Sequence, residues 1–155
     1  MTPAPSLVEW IGGPARLREL MTLFYSRVPA DPVLGPVFAR MPAEHADHVA
    51  AFVAEVFGGP KEYSGRHGGH RAMVLKHANH GLTEPQRQRW MSLLLACADE
   101  AGLPADPEFR SALVGYLEWG SRLAVINSQP GVAAPSEAPM PVWGWGETGG
   151  PYNAG

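Results

Sequence analysis

One cysteine, Cys97, is the whole thiol content of the 155-residue chain, so no internal disulfide can close and a disulfide-stapled secreted scaffold is excluded. Charge is sparse too. Asp, Glu, Lys and Arg make up 17% of the residues, and 12 cations against 15 anions leave a net charge of -3. Without a basic surplus there is no general pull towards nucleic acid or an anionic membrane surface. Apolar runs are broken by charge, Gly or Pro well short of the roughly 20 residues that span a bilayer. No basic segment leading into an apolar core and a cleavage site opens the chain. The expectation is a soluble protein of a reducing, cytoplasmic compartment. Several motifs are missing as well. The glycine pairs Gly58-Gly59 and Gly68-Gly69 lack the Lys-Ser/Thr or third spaced glycine that cradles phosphate. There is no Gly-x-Ser-x-Gly elbow, and Cys97 sits on an apolar stripe as an inert core thiol, so nucleophilic hydrolysis is excluded. No alternating strand pattern, hairpin dipeptide or internal repeat is found.

What the chain does have is helical periodicity, with 45% hydrophobic residues to bury. Leu17, Leu20, Met21, Phe24 and Val28 recur at three- and four-residue steps with Tyr25 on the same side, and Pro29 and Pro32 close that helix. A second stripe, His45, Val49, Phe52, Val53 and Val56, follows Pro42 and stops at Gly58-Gly59-Pro60. Thr83 with Gln86 has the capping-box form ahead of Trp90, Leu93, Leu94, Cys97 and Ala101. Asp106-Pro107 starts a last helix that carries Phe109, Leu113, Tyr116, Leu117, Leu123 and Ala124 to about Asn127. The stretch from Lys61 to Gly81, poor in apolar pattern and rich in histidine, reads as mostly loop with one short helix. From Ser128 the chain turns Pro- and Gly-rich, yet Trp143, Trp145 and Tyr152 make it too aromatic for a plain linker. The expectation is one domain over 1–127 and an extension over 128–155 that folds back or docks on a partner.

Histidine supplies the only cluster of metal-ligating chemistry. His45 and His48, His67 and His70, and His77 and His80 are each three residues apart, near one side of a helix. Zinc sites can look like this, but no His-Glu-x-x-His run is present and one thiol offers little help. Haem asks for less: one imidazole for iron, a broad apolar pocket and polar groups for the sixth position. His77, after Met73-Val74-Leu75, meets the first need. On residues alone three classes stay open: a haem protein, a helical interaction module using the aromatic tail, and a non-haem metal protein.

The order of short motifs narrows these classes. Trp10-Ile11-Gly12-Gly13, Phe24-Tyr25, Asp31-Pro32-x-Leu34 ending in Phe38, Phe57-Gly58-Gly59-Pro60 with Tyr63, Gly69-His70, Lys76-His77-Ala78, Arg89-Trp90 and Tyr116-Leu117-Glu118 follow one another from about Ser6 to Asn127. In this the chain resembles the group II truncated haemoglobins. That resemblance implies an all-α, two-over-two helical sandwich around haem b, with a loop replacing most of the helix before the iron ligand. It implies His77 as that ligand, Phe38 on the haem face, and Tyr25, Trp90 and His45 as distal groups stabilising a bound ligand. Val49, Phe52, Tyr63, Met73 and Lys76 complete the implied cofactor contacts. Lys76, Arg66 and His70 are candidates for the propionates, whereas His48, His67 and His80 read as surface residues. Two departures stand out: many relatives carry tyrosine where Phe38 stands and a small residue where His45 stands.

The implied function is binding of oxygen, nitric oxide, carbon monoxide or peroxide at a five-coordinate iron, by a bacterial-type monomer or weak homodimer served by a reductase. Slow oxygen release, with nitric oxide scavenging or peroxidase-like chemistry, is expected in preference to transport. Neither a membrane nor nucleic acid is an expected partner.

Overall fold

The computed structural model describes residues 3–133 and 139–151; Tyr152 lies outside them. Among the described residues the chain is helical, with no strand. Its α-helices are α1 (Leu7–Ile11), α2 (Pro14–Arg27), α3 (His45–Val56), α4 (Glu62–Arg66), α5 (Gly69–His77), α6 (Glu84–Glu100) and α7 (Pro107–Ser128). Short 3-10 turns cover Val28–Ala30 and Gly146–Thr148. Helix α2 lies on α3, α6 lies on α7, α2 meets α6, and α5 rests on α7. This is the all-α two-over-two arrangement.

Local chemistry accounts for the helix starts. Ser6 accepts the Glu9 N–H at 3.1 Å ahead of α1. Thr83 and Gln86 form the reciprocal capping box of α6, and Asp106 accepts the Phe109 N–H at 3.0 Å ahead of α7. Each such cap is worth about 1 kcal/mol. The apolar stripes then bury as their spacing predicts. Leu17, Leu20, Met21, Phe24 and Val28 are all in the core, where each large side chain contributes roughly 1.5–3 kcal/mol. Helix α3 stops where Gly58 takes a φ of 95°; a Cβ there would lie 2.8 Å from the Ser6 side chain. At Gly59 a Cβ would meet the Ala54 carbonyl at 2.7 Å, so the turn needs both glycines.

Three expectations change. The segment from Lys61 to Gly81 holds two helices, α4 and α5, instead of mostly loop with one. The loop expected before His77 is correspondingly a nine-residue helix, α5, that ends on His77 itself. Its pattern is faint because it borders a cavity: Val74 is its one side chain in the buried core among those described. Helix α1 was not anticipated, because five residues are too few to show a period.

Two networks tie the sandwich together. Arg87, 6% exposed, donates to Glu84, to Glu118 at 2.9 Å and to Ser121 at 3.2 Å, which fastens α6 to α7. Asp31 accepts the Val33 and Leu34 N–H groups and pairs with Arg89 of α6 at 2.6 Å.

The tail returns to its own body. Trp143 donates its backbone N–H to the Val56 carbonyl at 2.8 Å, and Trp145 donates its indole N–H to the Pro5 carbonyl at 2.8 Å. The Trp145 ring meets Trp10 edge-on at 5.9 Å, and Trp143 meets Tyr116 edge-on at 5.6 Å.

Candidate functional site

A cavity of about 440 Å³ opens between α2, α3, α5, α6 and α7. Its walls are mainly apolar: Met21, Leu34, Val37, Phe38, Val49, Phe52, Val53, Met73, Val74, Leu117 and Leu123 among them. His77 reaches it from the last residue of α5. Burial pulls the His77 imidazole below its usual range, partly offset by a hydrogen bond to the Met73 backbone one turn earlier. The ring is therefore neutral at neutral pH, with one nitrogen free to act as a metal ligand.

Three polar side chains enter the same cavity from other helices. Tyr25 of α2 is 7% exposed, and its hydroxyl lies 3.2 Å from His45 Nε2 at the start of α3. Burial pushes the phenol well above its ordinary range, the nearby Trp90 side chain working against it, so the O–H stays protonated. Burial, then the charges of Lys76, His77 and His48, lower His45 to about 4. Neutral His45 thus presents one donor and one acceptor nitrogen, and Trp90 of α6 adds its indole N–H. Phe38 packs on this group, 5.5 Å from the Tyr25 ring and 5.9 Å from His45.

Of the residues singled out by sequence, Tyr25, Phe38, His45, Val49, Phe52, Met73, Lys76, His77 and Trp90 all line the cavity. Tyr63 does not. It is fully buried behind Phe52, ring centroids 5.0 Å apart, with the Lys76 ammonium 5.7 Å from its ring. Its hydroxyl has no hydrogen-bond partner among the described residues. Arg66 points to solvent beside Glu62, whereas His70 lines the cavity and sits 3.2 Å from the Pro139 carbonyl. His48 and His80, read as surface residues, also border the cavity; the His48 ring lies 4.2 Å from His67. Sequence reasoning missed the α7 wall, where Tyr116, Leu117, Trp119 and Ser121 face the same space. Stripe spacing marked Tyr116 and Leu117 as core and did not single out Trp119 or Ser121; only the fold reveals that this part of α7 borders a cavity.

The residues suit a flat apolar macrocycle carrying a metal: a neutral imidazole at one wall, apolar sides, and cationic Lys76 and Arg40 among the lining. They suit a protein-only metal site poorly. Among the described residues no three His, Cys, Asp or Glu side chains are grouped to hold an ion.

Comparison with known proteins agrees. The profile of the bacterial-like globin family matches residues 6–118. The group 2 truncated haemoglobin YjbI of Bacillus subtilis is 32% identical over 117 residues, 76% of this chain and 86% of that protein. This chain belongs to the group II truncated haemoglobins. The structure described as a truncated oxygen-avid haemoglobin from Bacillus subtilis superposes with a TM-score of 0.69 at 31% identity, covering 78% of this chain and 99% of that one. The group II truncated haemoglobin of Bacillus anthracis gives a TM-score of 0.72 at 26% identity over 86% and 98%. The globin's cofactor is haem b, and haem-based oxygen binding follows from membership of the family. No helix among the described residues is long and apolar enough to cross a membrane.

Proposed function

We propose that this globin binds oxygen and other diatomic ligands, releases oxygen slowly, and turns its ligand over in redox chemistry, nitric oxide scavenging or peroxide reduction, instead of carrying oxygen. The observation that carries this reading is the Tyr25–His45 contact at 3.2 Å, beside Trp90, in an otherwise apolar cavity.

His77 would hold the iron of haem b, with Phe38, Val49, Phe52 and Met73 to pack on the macrocycle and Lys76 to meet its carboxylates. Bound there, haem would supply an iron that takes a diatomic ligand and a one-electron couple. Everything else is the work of the chain. Burial holds the proton on Tyr25, so it can donate to an electron-rich ligand at neutral pH. Its contact with His45 has two proton arrangements. In one, the phenol donates to Nε2 and is occupied. In the other, Nε2–H donates to the phenol oxygen, which turns the Tyr25 proton towards the ligand and strengthens it by cooperativity. Trp90 is a donor only, so it serves the ligand without competing as an acceptor.

A hydrogen bond to a group carrying charge is worth about 1.5–3 kcal/mol, and 1.4 kcal/mol is a factor of ten in rate. One such donor slows oxygen release roughly ten- to a hundredfold, which favours reaction in place over delivery. The Bacillus subtilis relative described as oxygen-avid supports the same direction.

In this reading residues 1–127 form the haem-binding body and 128–155 an extension, the protein is a monomer or weak homodimer in the cytoplasm, and a reductase returns the iron to its ferrous state. The interaction-module alternative loses its main support, since Trp143 and Trp145 are packed on the chain's own helices and N-terminal segment.

Absorption spectra of the purified protein, oxidised, reduced and oxygenated, alongside a His77→Gly variant, test the cofactor assignment. A strong Soret band that is lost or shifted in the variant, and restored by added imidazole, is expected. Colourless protein that takes up no haemin refutes it. Stopped-flow oxygen release as fast as that of an ordinary carrier globin refutes the redox reading and leaves haem binding intact.

A further inference from the structure

The matched family profile ends at residue 118, inside α7, and the rest of α7 together with the tail completes an aromatic cluster that the ligand chemistry above does not use. Trp119 of α7 lines the cavity and is also 39% exposed, so one indole spans from the cavity wall to water. Trp143 from the tail lies against it, ring centroids 5.8 Å apart and tilted by only 36°. Tyr116, buried and also on the cavity wall, is 6.3 Å from Trp119 and 5.6 Å from Trp143. Val142, next to Trp143 in the chain, is 82% exposed. An oxidisable ring that touches the cavity, stands open to solvent and has a second indole tilted against it is more than core packing requires.

We propose that Trp119, backed by Trp143, is a one-electron outlet through which peroxide reduced in the cavity oxidises phenolic compounds too large to enter it. The proposal rests on the peroxide-reducing branch of the function above. Hydrogen peroxide takes up two electrons and two protons to give two molecules of water. Trp119 gives one electron inward and releases its Nε1 proton to solvent. A phenol at the surface then returns one electron and, from its hydroxyl, one proton, leaving as a phenoxyl radical. Two phenols are oxidised for each peroxide, so atoms and electrons balance. Tyr116 is the poorer terminus because a phenol must shed its proton on oxidation, and burial holds that proton on. Trp119 has water to take its proton. Trp143 spreads the electron deficiency over a second π-system and shields one face of the radical.

The test uses the haem-loaded full-length protein, hydrogen peroxide and 2,6-dimethoxyphenol, with freeze-quench electron paramagnetic resonance and mass-spectrometric mapping of oxidised side chains. An indolyl radical and oxidation products at Trp119 are expected, with the phenol suppressing both. Trp119→Phe abolishes the indolyl signal and the phenol oxidation, Trp119→Tyr replaces it with a phenoxyl-type signal, and Trp143→Phe shortens the radical's lifetime. Peroxide consumption by the parent protein with the radical elsewhere, or phenol oxidation undiminished in Trp119→Phe, overturns the outlet. A parent protein that does not consume peroxide overturns the reading beneath it as well. Should Trp119→Phe fail to retain haem, Trp143→Phe decides: an unaltered radical yield and lifetime overturns the paired outlet.

Discussion

Replacing Tyr25 by phenylalanine removes one oxygen atom and leaves the ring where it is. Its edge-on contacts with Phe24 at 4.8 Å and Phe38 at 5.5 Å do not involve the hydroxyl, so packing survives the change. What goes is the donor to the ligand and the partner of His45 Nε2 at 3.2 Å. If the phenol donates to a ligand with charge on its outer atom, the loss is about 1.5–3 kcal/mol, and oxygen should leave roughly ten- to a hundredfold faster. The effect belongs to the off-rate, because the bond exists only after the ligand has arrived. Stopped-flow displacement of oxygen by carbon monoxide measures it, and flash photolysis measures the on-rate. The Trp90→Phe variant and the double variant close a cycle. Because Tyr25 and Trp90 serve one ligand, the two losses should not add. An off-rate unchanged in Tyr25→Phe, with spectra and haem content intact, would refute the claim that the phenol is a ligand donor; the His45 contact would then be the hydroxyl's whole role.

Other consequences can be measured on the apo or holo protein. Arg87→Met removes the cation that pairs with Glu84 of α6 and Glu118 of α7, and should cost about 1–3 kcal/mol in urea unfolding. The same variant has a pH signature. The Arg87 hydrogen bond holds Glu84 at about 2, below its ordinary 4.5, so this carboxylate's contribution is complete above its unfolded value and is lost as the pH falls towards 2. In Arg87→Met the stability profile between those limits should flatten, and an unchanged acid limb would count against the pair. Thr83→Ala removes the α6 capping box and should lower stability by about 1 kcal/mol. Trp143→Ala should lower the melting temperature, with a cost of about 1–3 kcal/mol for the lost apolar contact, whereas a free tail would show none.

Several parts of the molecule were legible before any fold was known, because the chemistry behind them is local. The stripes of α2, α3, α6 and α7 and the caps at Thr83 and Asp106 depend on residues three or four positions apart, and the helices form where that spacing indicates. The ordered motifs around Tyr25, His77 and Trp90 carried the family likewise. Helix α5 was not legible as a helix, since a segment that borders a cavity needs no full apolar stripe. Tyr63 was placed in the site by its neighbours in sequence and stands behind Phe52 in the fold. Periodicity says that a side chain faces inward, and cannot say whether inward means core or cavity.

Composition and spacing, then, determined by themselves an all-helical chain with histidines along its helices, and the order of short motifs pointed to its family; an iron ligand at His77 and donors at Tyr25 and Trp90 are what that resemblance implies. Tertiary structure alone decided that Tyr25 touches His45 across twenty residues, that Arg87 joins α6 to α7, that Tyr116 and Trp119 complete the cavity wall, and that the tail lays Trp143 on Trp119. Helical period and capping are set by bonds within a turn, but contacts between distant segments are chosen by how whole helices pack, and no short stretch of sequence carries that choice.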